Sequence, residues 1–245
     1  MARAERIRSL QGSDRYGYVL IAIIVPIAFS LAAPATKPWS RFLTVVLFAV
    51  AIIIVLAVAN ARRRVQQVAF VLLIAVIVTA LIDLIADSTT TGGVARAIVG
   101  IMIALAPFTL ARGVIRHLRD AGRVTLDAVY GAIAIYLLIG AFFASIDDAV
   151  GTIGSPPFFA QTANPPFETY LYFSYVTLAT LGYGDFTPAS SLARALAITE
   201  ALSGQLYLVT VVAVLVSNIG RPGPRARGGT PVNEDEGPDQ PPRRQ

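Results

Sequence analysis

Unbroken apolar runs govern what this chain can become. Six can be marked, at 17–35, 42–59, 65–86, 97–111, 128–146 and 192–219, the fourth being the shortest. Runs of this kind have no polar face to offer water, and most are long enough to cross a hydrocarbon core of about 30 Å. Inside such a core an unpaired backbone amide is costly, and a helix pairs its amides within itself. The sequence therefore predicts an all-α integral membrane protein with six transmembrane helices. Composition agrees: of 245 residues, 55% are hydrophobic and 14% charged, far from ordinary soluble usage.

Several function classes fall away at once. The chain has no cysteine and a single histidine, His117, so disulfide frameworks, thiolate chemistry and Cys- or His-based metal clusters are excluded. It contains no His-Glu-x-x-His, no Gly-x-Ser-x-Gly and no paired acidic motif on a shared helical face, which leaves an intramembrane enzyme without machinery. The expectation is a protein that is not an enzyme and needs no cofactor.

The net charge of +5 is explained by topology. Arg3, Arg6, Arg8 and Arg15, then Arg62 to Arg64, then Arg112, Arg116, Arg119 and Arg123, and last the five arginines from Arg221 to Arg244 fall on one side when six helices are threaded. The other side has mainly Lys37 and Arg41. The positive-inside bias then predicts a multi-pass protein of the cell membrane with both termini cytoplasmic. Nucleic-acid binding is not expected, because these arginines are already accounted for. A competing reading of the N-terminus is a cleaved signal peptide ending near Leu31 to Ala35; whether that segment is retained stays open, and the remaining loops keep their sides either way.

The loop after the fifth run differs in kind. It carries Asp147, Asp148, Glu168 and Asp185, no Lys or Arg, and a Pro/Gly-rich stretch from Gly151 to Pro166. Thirteen residues, Phe167 to Ala179, then read as a short helix entered from Pro165-Pro166 and bearing Tyr170, Tyr172, Phe173 and Tyr175. Behind them comes Thr180-Leu181-Gly182-Tyr183-Gly184-Asp185. Glycine tolerates backbone angles that other residues resist, so Gly182 and Gly184 permit a strand whose successive carbonyls point the same way. A stack of carbonyls can replace the hydration shell of K⁺.

This segment resembles the pore loop of potassium channels, and the resemblance covers residues 125–220 well. It implies that the carbonyls of Thr180, Leu181, Gly182, Tyr183 and Gly184, with the Thr180 hydroxyl, hold K⁺, while Tyr183 braces the strand from behind. It implies a homotetramer in contact with membrane lipids, since four strands must enclose one axis. Two departures matter. Leu181 stands where many relatives carry Val or Ile, and Tyr172-Phe173 aligns with a Trp pair, one member of which bonds the aspartate after the filter in many channels; here Tyr172 is the candidate partner of Asp185.

In the sixth run, Gly204 lies nineteen residues beyond Asp185, either as a hinge or as a site of close helix packing. Glu200 is an ionisable group in a membrane helix, which calls for water or a partner; a contact with the pore helix and a role in tuning the cavity are both open. No arginine ladder occupies 97–111, Arg96 pairs on paper with Asp83 or Asp87, and Arg112 to Arg123 share one face suited to the membrane surface. The resulting organisation is a cytoplasmic N-terminus at 1–16, a four-helix membrane domain without gating charges plus linker at 17–123, a pore domain at 124–219 and a disordered tail at 220–245. The implied function is passive, potassium-selective conduction. A weakly selective cation pore and a non-conducting scaffold subunit with a pore-like fold are the alternatives.

Overall fold

The computed structural model describes residues 15–34, 37–59, 63–86, 98, 100–103, 106–113, 126–153, 157–163 and 165–218. The arginines at 3, 6 and 8, Arg96, Asp87, Arg116, Arg119, Arg123 and the tail lie outside them, so the predictions made for those residues do too. Among the described residues regular structure is helical, apart from one isolated antiparallel bridge between Phe159 and Pro188. The helices are α1 Arg15–Ala32, α2 Pro38–Val58, α3 Arg63–Ala86, α4 Leu126–Ile153, α5 Phe167–Leu178 and α6 Ser191–Asn218. A further apolar helical stretch, Gly100–Gly113, is described in part.

Three of the described helices are long and apolar enough to cross a membrane: Pro38–Val58, Leu126–Thr152 and Ser191–Val214. Tyr16–Ala32 and Gln66–Val78 are shorter apolar helices. An all-helical, membrane-embedded protein is what this composition demands, because only helices and closed barrels satisfy the backbone in hydrocarbon.

Local chemistry sets the helix ends. Pro38 opens α2 behind an extended Lys37, a position where a missing N–H costs nothing. Pro166, at φ −71° and ψ 162°, precedes α5, and Glu168 sits in the first turn, where a carboxylate meets the positive end of the helix. Ser190 caps α6, its hydroxyl accepting from the Ala193 N–H at 3.1 Å.

One expectation needs correction. The fifth apolar run was expected to end at 146, with Asp147 and Asp148 in an outward loop; α4 instead continues to Ile153, and Asp147 is fully buried. Charge ends an apolar run, but it does not end a helix. Nothing between Ser145 and Val150 is a glycine or proline, so the backbone ladder continues through both carboxylates.

The packing order follows small residues. α1 lies against α2, α4 and α5; α2 also meets α3; and α4, α5 and α6 pack pairwise. Hydrophobic burial drives little inside lipid, so close approach does the work, and α4 supplies Ala134, Ala141 and Ala144, all buried. Phe48 of α2 meets Phe167 of α5 edge-on at 6.1 Å. In contrast, only 11% of the most apolar part of α6 is buried, and Ile198, Leu202, Leu206, Val209 and Val212 are exposed.

Candidate functional site

The candidate site begins where α5 stops. The Thr180 N–H bonds the Thr177 carbonyl at 2.9 Å, and the Leu181 N–H reaches back to the Val176 carbonyl, also at 2.9 Å. With Ala179 as the cap, these are the two bonds of a Schellman motif, whose first residue past the cap is left-handed. That residue is Thr180, at φ 58°. Glycine usually fills this place; a β-branched side chain there is strained by about 1–3 kcal/mol.

Left-handed backbone then recurs at every second residue. Gly182 has φ 58° and Gly184 φ 78°, and Thr180 is the sole non-glycine residue with positive φ among those described. Alternating handedness cancels the usual alternation of a strand, so successive carbonyls turn to one side. Thr180 to Asp185 are all exposed in the single chain, and a Cβ added at Gly182 or Gly184 would meet nothing within 4 Å. Leu181 and Tyr183 are 55% and 66% exposed, so more than half of each residue's surface is left open by the described residues.

The far end of the segment is tied down. Tyr172 bonds the Asp185 carboxylate, and this bond raises its phenol above the usual value. Phe186 lies tilted against Phe159, ring centres 5.4 Å apart, and meets Tyr172 edge-on at 6.2 Å. Behind Phe186 the chain pairs with 158–161: Ala160 N–H to Thr187 O at 2.9 Å, Ala189 N–H to Phe158 O at 2.8 Å, and the Gln161 side chain to both the backbone N–H and the hydroxyl of Thr187. Phe158 and Phe159, each 1% exposed, join Tyr170 and Phe173 in one aromatic cluster.

This cluster includes two of the aromatics singled out on α5. Tyr175 instead faces α4 and donates to the Leu137 carbonyl at 2.7 Å. Sequence reasoning missed Phe158 and Phe159 altogether. An aromatic pair after Pro156-Pro157 in an otherwise polar loop was the available signal, since an exposed loop has no use for two adjacent phenylalanines.

The inner-helix candidates sit against α5. Glu200 is fully buried, and its Oε1 pairs with the Ser174 hydroxyl of α5. That hydroxyl also lies 2.6 Å from the Gly140 carbonyl of α4. Gly204 faces Leu178: an added Cβ would stand 2.7 Å from both the Leu178 carbonyl oxygen and its Cδ1. Close packing is therefore a demonstrated demand at Gly204. The Leu178 carbonyl also accepts from Tyr136 at 3.2 Å, and Tyr207 of α6 donates to the Ala132 carbonyl at 2.6 Å. Three helices are thus stitched around the end of α5.

Arg112 is exposed, while its companions on the expected surface face lie outside the described residues. Among the described residues no group of three or more His, Asp or Glu is placed to hold a metal ion.

The family comparison falls on this same part of the chain. Residues 131–221 match the model of a family described as "Ion channel". An inward rectifier potassium channel, Kirbac3.1 of Paramagnetospirillum magnetotacticum, is 34% identical over 89 residues, which are 36% of this chain and 28% of that channel. This chain thus matches little more than a quarter of that relative's length. No solved structure gives a significant match. Both matches point to a channel and away from an enzyme, and together they bear out the resemblance to pore-loop potassium channels read from the sequence.

Proposed function

We propose that this chain is one subunit of a homotetrameric, potassium-selective channel that conducts passively across the cell membrane. The observation that carries the reading is the alternation of left-handed backbone at Thr180, Gly182 and Gly184 directly after a short helix. A permeant K⁺ needs a dehydrated cage of oxygens, and backbone of this handedness is what lets one strand contribute them in a row. In this reading the carbonyls of Thr180 to Gly184 and the Thr180 hydroxyl are the ion ligands. Tyr172 and Asp185 hold the outer end, and α5 dips into the membrane without crossing it.

The exposed apolar face of α6 and the largely exposed side chains of Leu181 and Tyr183 support assembly, since a neighbouring subunit would cover apolar surface that the described residues leave open. The proposed layout keeps six membrane helices with both termini cytoplasmic, a pore domain at 124–219 behind a four-helix domain at 17–123, and lipid around the remaining apolar faces. That the relative is described as a potassium channel is the further support for the choice of ion.

The test is flux from liposomes holding the purified full chain, under K⁺ and then Na⁺ gradients, with Gly182→Asp beside it. An aspartate cannot take φ 58° without strain and would set a charge beside the strand. K⁺-selective flux abolished in the variant is expected. Equal K⁺ and Na⁺ flux would replace the reading with a weakly selective pore, and no flux from intact tetramers would favour a scaffold.

A further inference from the structure

The Ser174 hydroxyl has one proton and two neighbours that normally only accept. One is the Gly140 carbonyl at 2.6 Å, and the other is the Glu200 carboxyl. A carbonyl cannot donate under any condition; a carboxyl can, if it is protonated. With Glu200 ionised, one of the two contacts would set lone pair against lone pair in a fully buried place. With Glu200 neutral, its O–H donates to Ser174, Ser174 donates to Gly140, and the chain of bonds closes.

The surroundings lead the same way. Glu200 Oε2 has no hydrogen-bond partner among the described residues, and neither has either oxygen of the fully buried Asp147. An ionised Glu200 so placed would have at most the single Ser174 hydroxyl to compensate it for leaving water. Among the described residues the groups that bear on Glu200 electrostatically are Asp147 and Tyr136 from α4 and Tyr175 from α5, so none of them is a cation that offsets it. Arg194, on its own helix, is exposed and turned to the carbonyls of Pro188 and Ala189.

We infer that Glu200 is a proton-binding site, and that its proton latches the inner helix α6 to α5 and through Ser174 to α4. The site itself is independent of the channel reading; its effect on conduction rests on that reading. The sign follows from linkage: the packed arrangement binds the proton more tightly than an arrangement that exposes Glu200 to water, so packing is favoured at low pH and lost as pH rises. Because α5 carries the proposed filter at its end, release of the latch would lower K⁺ flux on the alkaline side.

Two measurements test this on the full chain in liposomes. Infrared spectra of protein carrying isotope-labelled glutamate should show a protonated carboxylic-acid carbonyl band at neutral pH that Glu200→Gln removes; absence of the band overturns the proton site. K⁺ flux of the wild type should fall as pH is raised, by at most about tenfold per pH unit for each proton released, one per subunit. Glu200→Gln, whose amide keeps a donor for Ser174 but cannot titrate, should lose that dependence. The same pH profile in both proteins overturns the latch. A band without flux at any pH would sink the channel reading and leave the proton site standing, and the band needs only wild-type protein should the variant fail to assemble.

Discussion

Thr180 belongs to two structures at once. It ends α5 as the left-handed residue of the Schellman motif, and in the proposed reading it is the first ion ligand. A glycine would end the helix at less cost, and in the proposed reading the hydroxyl is what the threonine supplies in return for the strain. Thr180→Gly is therefore expected to raise the stability of the assembled protein by about 1 kcal/mol while lowering its preference for K⁺ over Na⁺. Thermal melting in detergent and ion-replacement flux would read the two effects separately, and a fall in both would contradict the strain. At this scale legibility was uneven. Gly182 and Gly184 declare positive φ in their chemistry, whereas a β-branched residue in the left-handed region contradicts every local rule and showed only in the structure. Asp147 was misjudged for the same reason: a carboxylate in sequence looks solvated, and only packing reveals that α4 carries it inward.

The helices themselves were largely legible, because apolar length is a strong signal in a membrane protein. The starts of α5 and α6 followed from Pro165-Pro166 and from the run beginning near Leu192. The contact of α6 with α5 was not decided by sequence, since a glycine in a membrane helix serves bending and close packing equally well. Geometry shows the close packing. Gly204→Ala would drive a methyl into the Leu178 carbonyl, and overpacking of this order costs about 1–3 kcal/mol. The variant should melt at lower temperature as a tetramer, measured by size-exclusion chromatography after heating; unchanged melting with altered gating would instead make it a hinge. The segment 157–163 was the least legible, because its pairing with 186–189 is a long-range contact that no local pattern announces.

At the scale of the molecule, the helix expected to line a pore is the least covered of the three described helices long enough to cross a membrane. Ile198, Leu202, Leu206, Val209 and Val212 lie open on α6, and an apolar surface of this extent marks an interface with protein or lipid. Val209→Lys is expected to abolish the tetramer while leaving a helical monomer, as judged by native mass measurement and circular dichroism; a tetramer that tolerates the lysine would mean this face looks onto lipid or a water-filled cavity. Between Thr180 and Asp185 the chain is anchored at both ends, by the terminal turn of α5 on one side and by Tyr172 and the Phe159–Pro188 pairing on the other. Such a segment resembles a plank fixed at two piers. A changed side chain alters one board. A single added or deleted residue shifts the parity of every residue after it, turning left-handed positions into right-handed ones and carbonyls away from their common side. Its length is thus as strictly specified as its glycines, and variation in such a chain has freedom in the helices that it lacks in these few residues.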